Sequence, residues 1–261
     1  MTAGWAPEGP PALVVGSGKG GVGKSVTSLL LATSLAAQGR RVLLFDADQN
    51  LGNLHVLLGV RPSARMEALL YEGLAPDELV QPVAENLWLL PGDSGTESLY
   101  GLEAIDRARL HHRLSALYDG YDAVVIDAGA GIESVVRVAT MRATRLVVVA
   151  APEPTALTDA YALMKIVTLQ VPELPIDVCV NRADDEREGR EAYEKLATAC
   201  ERFLRRGVRY LGAIPEDPMV RAAVRDPRRL LPLLTASPAA QAVREGVLDR
   251  LDLPTPARCS E

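Results

Sequence analysis

Gly18-Lys19-Gly20-Gly21-Val22-Gly23-Lys24-Ser25 decides how this chain is read. A short β-rich run, Ala12–Gly16, precedes it, and a segment with apolar residues at helical spacing, Lys24–Gln38, follows. Glycines between a strand and a helix let backbone N–H groups converge on phosphate oxygens, and the helix N-terminus adds partial positive charge. Lys24 can bridge β- and γ-phosphates, and the Ser25 hydroxyl can enter the shell of a Mg2+ ion. A plain glycine-rich turn requires neither Lys nor Ser at these places. The stretch therefore predicts a phosphate loop, with nucleotide contacts running from Gly18 to Val26.

Outward from the loop, short apolar runs alternate with 3.6-period segments. Strands are expected at Ala12–Gly16, Arg41–Asp46, Asn86–Leu90, Asp122–Asp127, Arg145–Ala151, Ile176–Asn181 and Tyr210–Ile214. Runs such as Val147-Val148-Val149 are continuously apolar, as strands covered on both faces are. Helices are expected at Lys24–Gln38, Ala64–Tyr71, Glu97–Tyr118, Ile132–Thr140, Thr155–Gln170, Glu186–Arg206, Pro218–Arg225 and Pro238–Leu251. The alternation predicts an α/β fold: one doubly wound, mainly parallel sheet with helices on both faces. The expected organisation is a flexible leader over 1–11, one nucleotide-binding domain over 12–252 and a short tail over 253–261.

Composition removes several classes. The 261 residues are 48% hydrophobic and 24% charged, ordinary for a folded globular chain. Lys and Arg total 28 against 34 Asp and Glu, a formal charge of −6, which disfavours a protein that coats nucleic acid. Three scattered cysteines, Cys179, Cys200 and Cys259, form neither a disulfide framework nor a paired metal site. No signal-peptide pattern opens the chain, and its longest apolar stretch, Leu146–Pro152, is too short to span a bilayer. A cytoplasmic setting is expected, with at most a conditional peripheral place at the inner face of the membrane.

Further chemistry gathers at predicted strand ends. Phe45-Asp46-Ala47-Asp48 puts two carboxylates, two apart, where open α/β sheets hold their ligands. Phosphoryl transfer needs a positioned water and compensated charge, which such carboxylates can supply. Val124-Val125-Ile126-Asp127 is an apolar run closed by a carboxylate, a Walker B form in which Asp127 would hold Mg2+. Ala128-Gly129-Ala130-Gly131 follows and can rearrange cheaply. Asn181 and Arg182 end another strand, and the Asn amide can read an adenine edge through donor and acceptor.

Lys19, a second lysine inside the loop, makes Lys-Gly-Gly-Val-Gly-Lys similar to the deviant Walker A motif of the MinD/ParA family of ATPases. That resemblance implies a Mg2+-dependent ATPase that dimerises around two ATP molecules, with Lys19 reaching phosphate, commonly the partner subunit's. It implies that Asp48 orients the attacking water, so Lys19, Lys24 and Asp48 are the catalytic candidates and Ser25, Asp48 and Asp127 the metal candidates. It also implies that Gly129 lies in a switch sensing the γ-phosphate. Asn181 and Arg182 would then lie at the base, with Pro215, Glu216 and Asp217 in the loop beside it. Pro152–Lys165, Leu90–Gly95 and Glu188-Gly189-Arg190 further resemble the FlhG/FleN branch, MinD-like regulators of flagellar number and placement. The similarity runs from about Ala12 to Leu251.

A spatial regulator with a flagellar or positioning partner is the implied role. Three departures stand out: no glutamine-containing activator segment is recognisable before the loop, His55 replaces an acidic residue, and no obvious membrane anchor closes the chain. Ala240, Val243, Val247, Leu248 and Leu251 form one apolar face, but Arg244, Glu245, Asp249 and Arg250 cancel in charge. Packing on the domain is therefore favoured over an anionic lipid surface.

Two other functions compete. A metal-cluster carrier needs paired cysteines that are missing here. A DNA-segregation ATPase would use arginine clusters, and Arg202, Arg205, Arg206, Arg209, Arg221, Arg225, Arg228 and Arg229 stand within 28 residues. Their plainer reading is a solvated surface with cations near helix C-termini, so DNA binding is possible but not favoured.

Overall fold

Val, Leu and Ile runs too short and too β-branched for helices pair into a sheet in the computed structural model, which describes residues 9–48, 53–64, 68–71, 73–92 and 104–255. Its strands are β1 (Ala12–Gly16), β2 (Val42–Ala47), β3 (Gln81–Ala84), β4 (Leu87–Leu90), β5 (Ala123–Ala128), β6 (Arg145–Ala150), β7 (Ile176–Ala183) and β8 (Arg209–Pro215). They lie in the order β3-β4-β2-β5-β1-β6-β7-β8. Every pairing is parallel except β3 with β4.

The pleat of each central strand divides the core in two. Ala12 and Val14 join Val124, Ile126 and Val148 under α5 (Ala104–Tyr118), α6 (Ile132–Arg142), α7 (Pro154–Gln170) and α8 (Glu186–Ala199). Leu13 and Val15 join Val125 and Val147 on the opposite face. That face is covered by α1 (Lys24–Ala37), α9 (Pro218–Val224), α10 (Leu230–Thr235), α11 (Pro238–Ala242) and α12 (Leu248–Leu251). Burial on both faces explains why these strands read as continuous apolar runs. The remaining helices, α2 (Leu54–Leu57), α3 (Ala68–Tyr71) and α4 (Pro76–Leu79), are single turns between β2 and β3.

β1 sits centrally between β5 and β6, so the chain leaves it toward one side through α1 and crosses to the other after β5. Ligands of such sheets occupy the crevice beyond the carboxyl ends of the strands near this reversal. All seven expected strands are present within one or two residues of their expected bounds.

The differences have local causes. β3 was not expected because Pro82 argues against a strand, but a proline is tolerated on an edge, and β3 is the edge. The segment expected as one helix over Glu186–Arg206 widens into a π-turn at Cys200–Leu204 and stops where Arg205 turns left-handed, φ 54°. The expected C-terminal helix likewise contains a π-turn, Val243–Val247, between α11 and α12. α10 lies outside the expected helices and carries Pro232 in its first turn, where a proline is tolerated. Residues 65–67, 93–95 and 97–103 of the expected segments, much of the leader and most of the tail lie outside the described residues.

Candidate functional site

Gly23 is the N-cap of α1 at φ 91°, a conformation that an L side chain resists, and a Cβ there would strike Asn181 Nδ2. No side chain caps the helix, so its first N–H groups remain available to an anion. Ser17 Oγ donates to Lys19 O at 2.9 Å and steadies the entry to the loop, while Gly18 rests against the α7 backbone at Asp159. Gly20 and Gly21 are exposed, and Val22 is buried in the α1 face of the core. Lys19 reaches sideways: its Nζ donates to Thr155 Oγ1, in the first turn of α7, at 2.9 Å. The sequence alone did not single out Thr155.

Beneath the loop the ends of β1, β2 and β5 meet. Parallel pairing sets Asp46 beside Asp127, and Lys24, the first residue of α1, reaches Asp127. Lys24 Nζ pairs with Asp127 Oδ1 at 2.7 Å, with both side chains almost wholly buried, 8% and 3% exposed. Ser28, one turn on from Lys24, donates from Oγ to the same Asp127 oxygen at 2.8 Å. Ser25 Oγ accepts from Lys24 Nζ at 3.4 Å, so the predicted metal hydroxyl adjoins the pair. Ser28 was overlooked in the sequence, although its i, i+4 spacing from Lys24 places both on one helix face.

Asp46 is also buried, and its two oxygens take the backbone N–H groups of Asp48 and Leu54. Oδ1 accepts from the Asp48 N–H at 3.2 Å and Oδ2 from the Leu54 N–H at 3.0 Å. Burial pushes its carboxyl up to about 7, helped by the charge of Asp127; the two N–H groups and Lys24 pull the other way. Asp48 stands next to Gly129, where a Cβ would lie 3.1 Å from Asp48 Oδ1. Asp46, noticed in sequence only as the first of a carboxylate pair, is thus the group that shapes the backbone of the second.

Among the described residues, no three His, Cys, Asp or Glu side chains converge to hold a metal ion by themselves. Mg2+ ordinarily takes one or two carboxylates and completes its shell with phosphate oxygens and water. The set Ser25, Asp48 and Asp127 beside an anion-binding helix end fits that pattern.

A cavity of about 260 Å³ opens beside the loop, lined by Gly23, Val26, Leu30, Asn181, Arg182, Ile214, Pro215, Glu216 and Asp217, with α9 closing one side. All five residues expected at the base are therefore brought together with Val26. Asn181 Nδ2 donates to Val22 O at 2.8 Å, which fixes the amide and leaves its carbonyl oxygen for a ligand. Arg182 adopts a left-handed backbone, φ 59°, and its Nε stands 3.6 Å from Glu216, which Arg221 also binds at 2.7 Å. Asp217 serves the frame: Oδ1 accepts from Met219 N–H at 2.8 Å and Oδ2 from Ala239 N–H at 3.0 Å, joining α9 to α11.

Several arginines of the basic stretch hold the fold. Arg209 and Arg145 clamp the buried Asp177 carboxylate with contacts between 3.0 and 3.2 Å. Arg206 binds the carbonyls of Pro172 and Leu174, and Arg221 binds Glu216. The apolar face of the C-terminal helix is spent as well: Ala240, Val243, Val247 and Leu251 are 0% exposed against the sheet. Among the described residues, no helix is long and apolar enough to cross a membrane.

Residues 13–228 match the family described as the CobQ/CobB/MinD/ParA nucleotide binding domain. The chain is 36% identical to the antiactivator FleN of Pseudomonas aeruginosa over 249 residues, 94% of this chain and 89% of that protein. It is 37% identical to the flagellum site-determining protein YlxH of Helicobacter pylori over 224 residues, 84% and 74% of the two lengths. Among solved structures, the septum site-determining protein MinD of Pyrococcus horikoshii with Mg-ADP aligns at a TM-score of 0.75 and 25% identity, covering 93% of this chain and 96% of that one. The MinD of Aquifex aeolicus in its MinC:MinD complex aligns at 0.72 and 26%, covering 94% and 97%. The chain belongs to the CobQ/CobB/MinD/ParA nucleotide-binding family, with the antiactivator FleN and the flagellum site-determining protein YlxH among its relatives.

Proposed function

We propose that this chain is a Mg2+-dependent ATP hydrolase that dimerises on binding ATP and so regulates where or when a flagellar or similar positioning machinery assembles. The observation that carries this reading is the convergence of Lys24, Asp127, Ser28, Asp46 and Asp48 beneath an uncapped helix N-terminus. Lys24 exchanges Asp127 for the β- and γ-phosphates when ATP enters, which frees Asp127 for the metal side of the site. Ser25, Asp127 and Asp48 would hold Mg2+, which supplies charge neutralisation on the phosphates. Asp48 orients the attacking water, with its backbone held by Asp46. Asn181 and the loop Pro215–Asp217 receive the adenine.

Lys19 lies on the exposed side of the loop and serves the second subunit's phosphates once it leaves Thr155. FleN, named as an antiactivator, and YlxH, named as a flagellum site-determining protein, support the regulatory class. A protein partner in that machinery, a cytoplasmic pool and a conditional membrane contact belong to the same proposal. The test is light scattering of Asp48→Ala protein. ATP should give a dimer and ADP a monomer; a monomer in both would overturn the switch.

A further inference from the structure

Successive side chains of β5 alternate between the two core layers: Val124 and Ile126 join the α5–α8 layer, and Val125 joins the α1 layer. Asp127, two residues after Val125, therefore emerges on the α1 side, and β2 presents Asp46 in the same way after Leu44. Two buried carboxylates thus stand side by side under the first turns of α1. Like charges in such a place disfavour ionisation unless each is compensated. Asp46 has the Asp48 and Leu54 N–H groups. Asp127 has two side chains of α1, Lys24 and Ser28, both on the same oxygen, Oδ1.

The two partners differ in what they can do next. Lys24 sits at the helix end where an anion binds, so an entering phosphate draws its ammonium away from Asp127. Ser28 lies a full turn deeper and is wholly buried. Its hydroxyl has one proton and two acceptors in reach: Asp127 Oδ1 at 2.8 Å and the Lys24 carbonyl at 3.1 Å. A carbonyl four residues back is an ordinary acceptor for a helical serine. The hydroxyl can therefore turn between helix backbone and carboxylate, and it has an acceptor in either position.

We propose that Ser28 is a positioning residue of the nucleotide site: its hydroxyl commits to Asp127 when Lys24 leaves, and compensates that carboxylate until metal is bound. The inference rests on the roles proposed above for Lys24 and Asp127 in an ATP hydrolase. While Lys24 holds Asp127, the ammonium already neutralises the carboxylate, and the serine proton adds little beyond what it gains from the Lys24 carbonyl. Once the ammonium turns to phosphate, the same proton meets an unneutralised carboxylate, and a hydrogen bond to a charged acceptor is roughly twice as strong as a neutral one. Ser28 thus favours the nucleotide-bound arrangement over the empty one, acting through Asp127. The role is distinct from that of Ser25, whose hydroxyl adjoins Lys24 Nζ at 3.4 Å.

The test is calorimetric titration of the full chain with ADP, once in EDTA and once with Mg2+. In EDTA, Ser28→Ala should bind ADP about tenfold more weakly than wild type, the effect of one hydrogen bond to a charged group. With Mg2+ the loss should shrink to about threefold or less, because the carboxylate then has a second source of compensation. Ser28→Cys keeps the volume with a poor donor and should follow Ser28→Ala, whereas Ser28→Thr keeps the hydroxyl and should recover most of the affinity. In an Asp127→Asn background, Ser28→Ala should change ADP affinity by less than about twofold, because the group it acts through is neutral. Equal losses with and without Mg2+, or an undiminished loss in Asp127→Asn, would mark a merely structural hydroxyl and overturn the proposal. Wild-type affinity of Ser28→Cys in EDTA would do the same, even should Ser28→Ala fail to fold. A wild type that binds no ADP in either buffer overturns the reading of the site itself, and the role of Ser28 with it.

Discussion

Replacing Asp127 by Ala strips the Lys24 ammonium of its partner in a pocket where the lysine is only 8% exposed. Removing one member of a buried pair costs about 3–5 kcal/mol, because the other charge stays buried. Asp46 remains nearby as a negative group and compensates in part, so the lower end, about 3 kcal/mol, is expected at a pH where Asp46 is ionised. For a chain of this size that loss lowers the melting temperature by roughly 6–12 °C. Asp127→Asn keeps an acceptor for Ser28 and should lose less.

The functional consequence runs the other way. If Lys24 binds phosphate as proposed, wild type gives up the Lys24–Asp127 pair to do so, whereas in Asp127→Ala the phosphate restores the missing negative charge. ADP without metal should therefore raise the melting temperature of Asp127→Ala by more than it raises that of wild type, since stabilisation follows binding affinity. Differential scanning fluorimetry with an ADP titration measures both. A melting drop under about 2 °C, or an ADP shift no larger than wild type's, would refute the reasoning.

Three further outcomes are expected. Asp46 titrates near 7 in the fold against 3.8 when unfolded, so its contribution is complete below pH 4 and is lost as pH rises through about 7. Between pH 5 and pH 8 that loss is about 3 kcal/mol, and urea unfolding at the two pH values should show it in wild type and a flatter profile in Asp46→Asn; equal profiles would sink it. Val247→Glu buries a carboxylate at a site 0% exposed and should lower stability by several kcal/mol whether or not lipid is present. Liposome sedimentation lost in this variant with an unchanged melt would instead show the helix to be a lipid anchor. Titration with duplex DNA at two salt concentrations should reveal no salt-sensitive binding, because the chain carries a formal charge of −6 and Arg206 and Arg209 are held by the Pro172 and Leu174 carbonyls and the Asp177 carboxylate.

What the chain's order of residues determined by itself was local and periodic. Gly18–Ser25 announced a strand-to-helix phosphate loop because that geometry depends on backbone freedom and one helix end. The continuous runs of β5 and β6 announced a sheet covered on both faces because burial on two sides removes any alternation. Candidates such as Asp127, Asn181 and Glu216 were legible because each lies within two residues of the carboxyl end of a strand.

What only the tertiary structure decided depends on residues far apart in the chain. Ser28 reaches Asp127 across 99 positions, and Lys19 finds Thr155 across 136. Asp46 gains its raised titration from burial beside Asp127, which its own neighbours in sequence do not supply. The arginines of the stretch after Cys200 looked alike as charges, but packing sends some to carbonyls and carboxylates and leaves others on the surface. The Glu186–Arg250 pair, 64 residues apart, exists only because two helices flank one strand edge. A hydrogen-bond partner is chosen by distance in space, and the fold alone sets that distance.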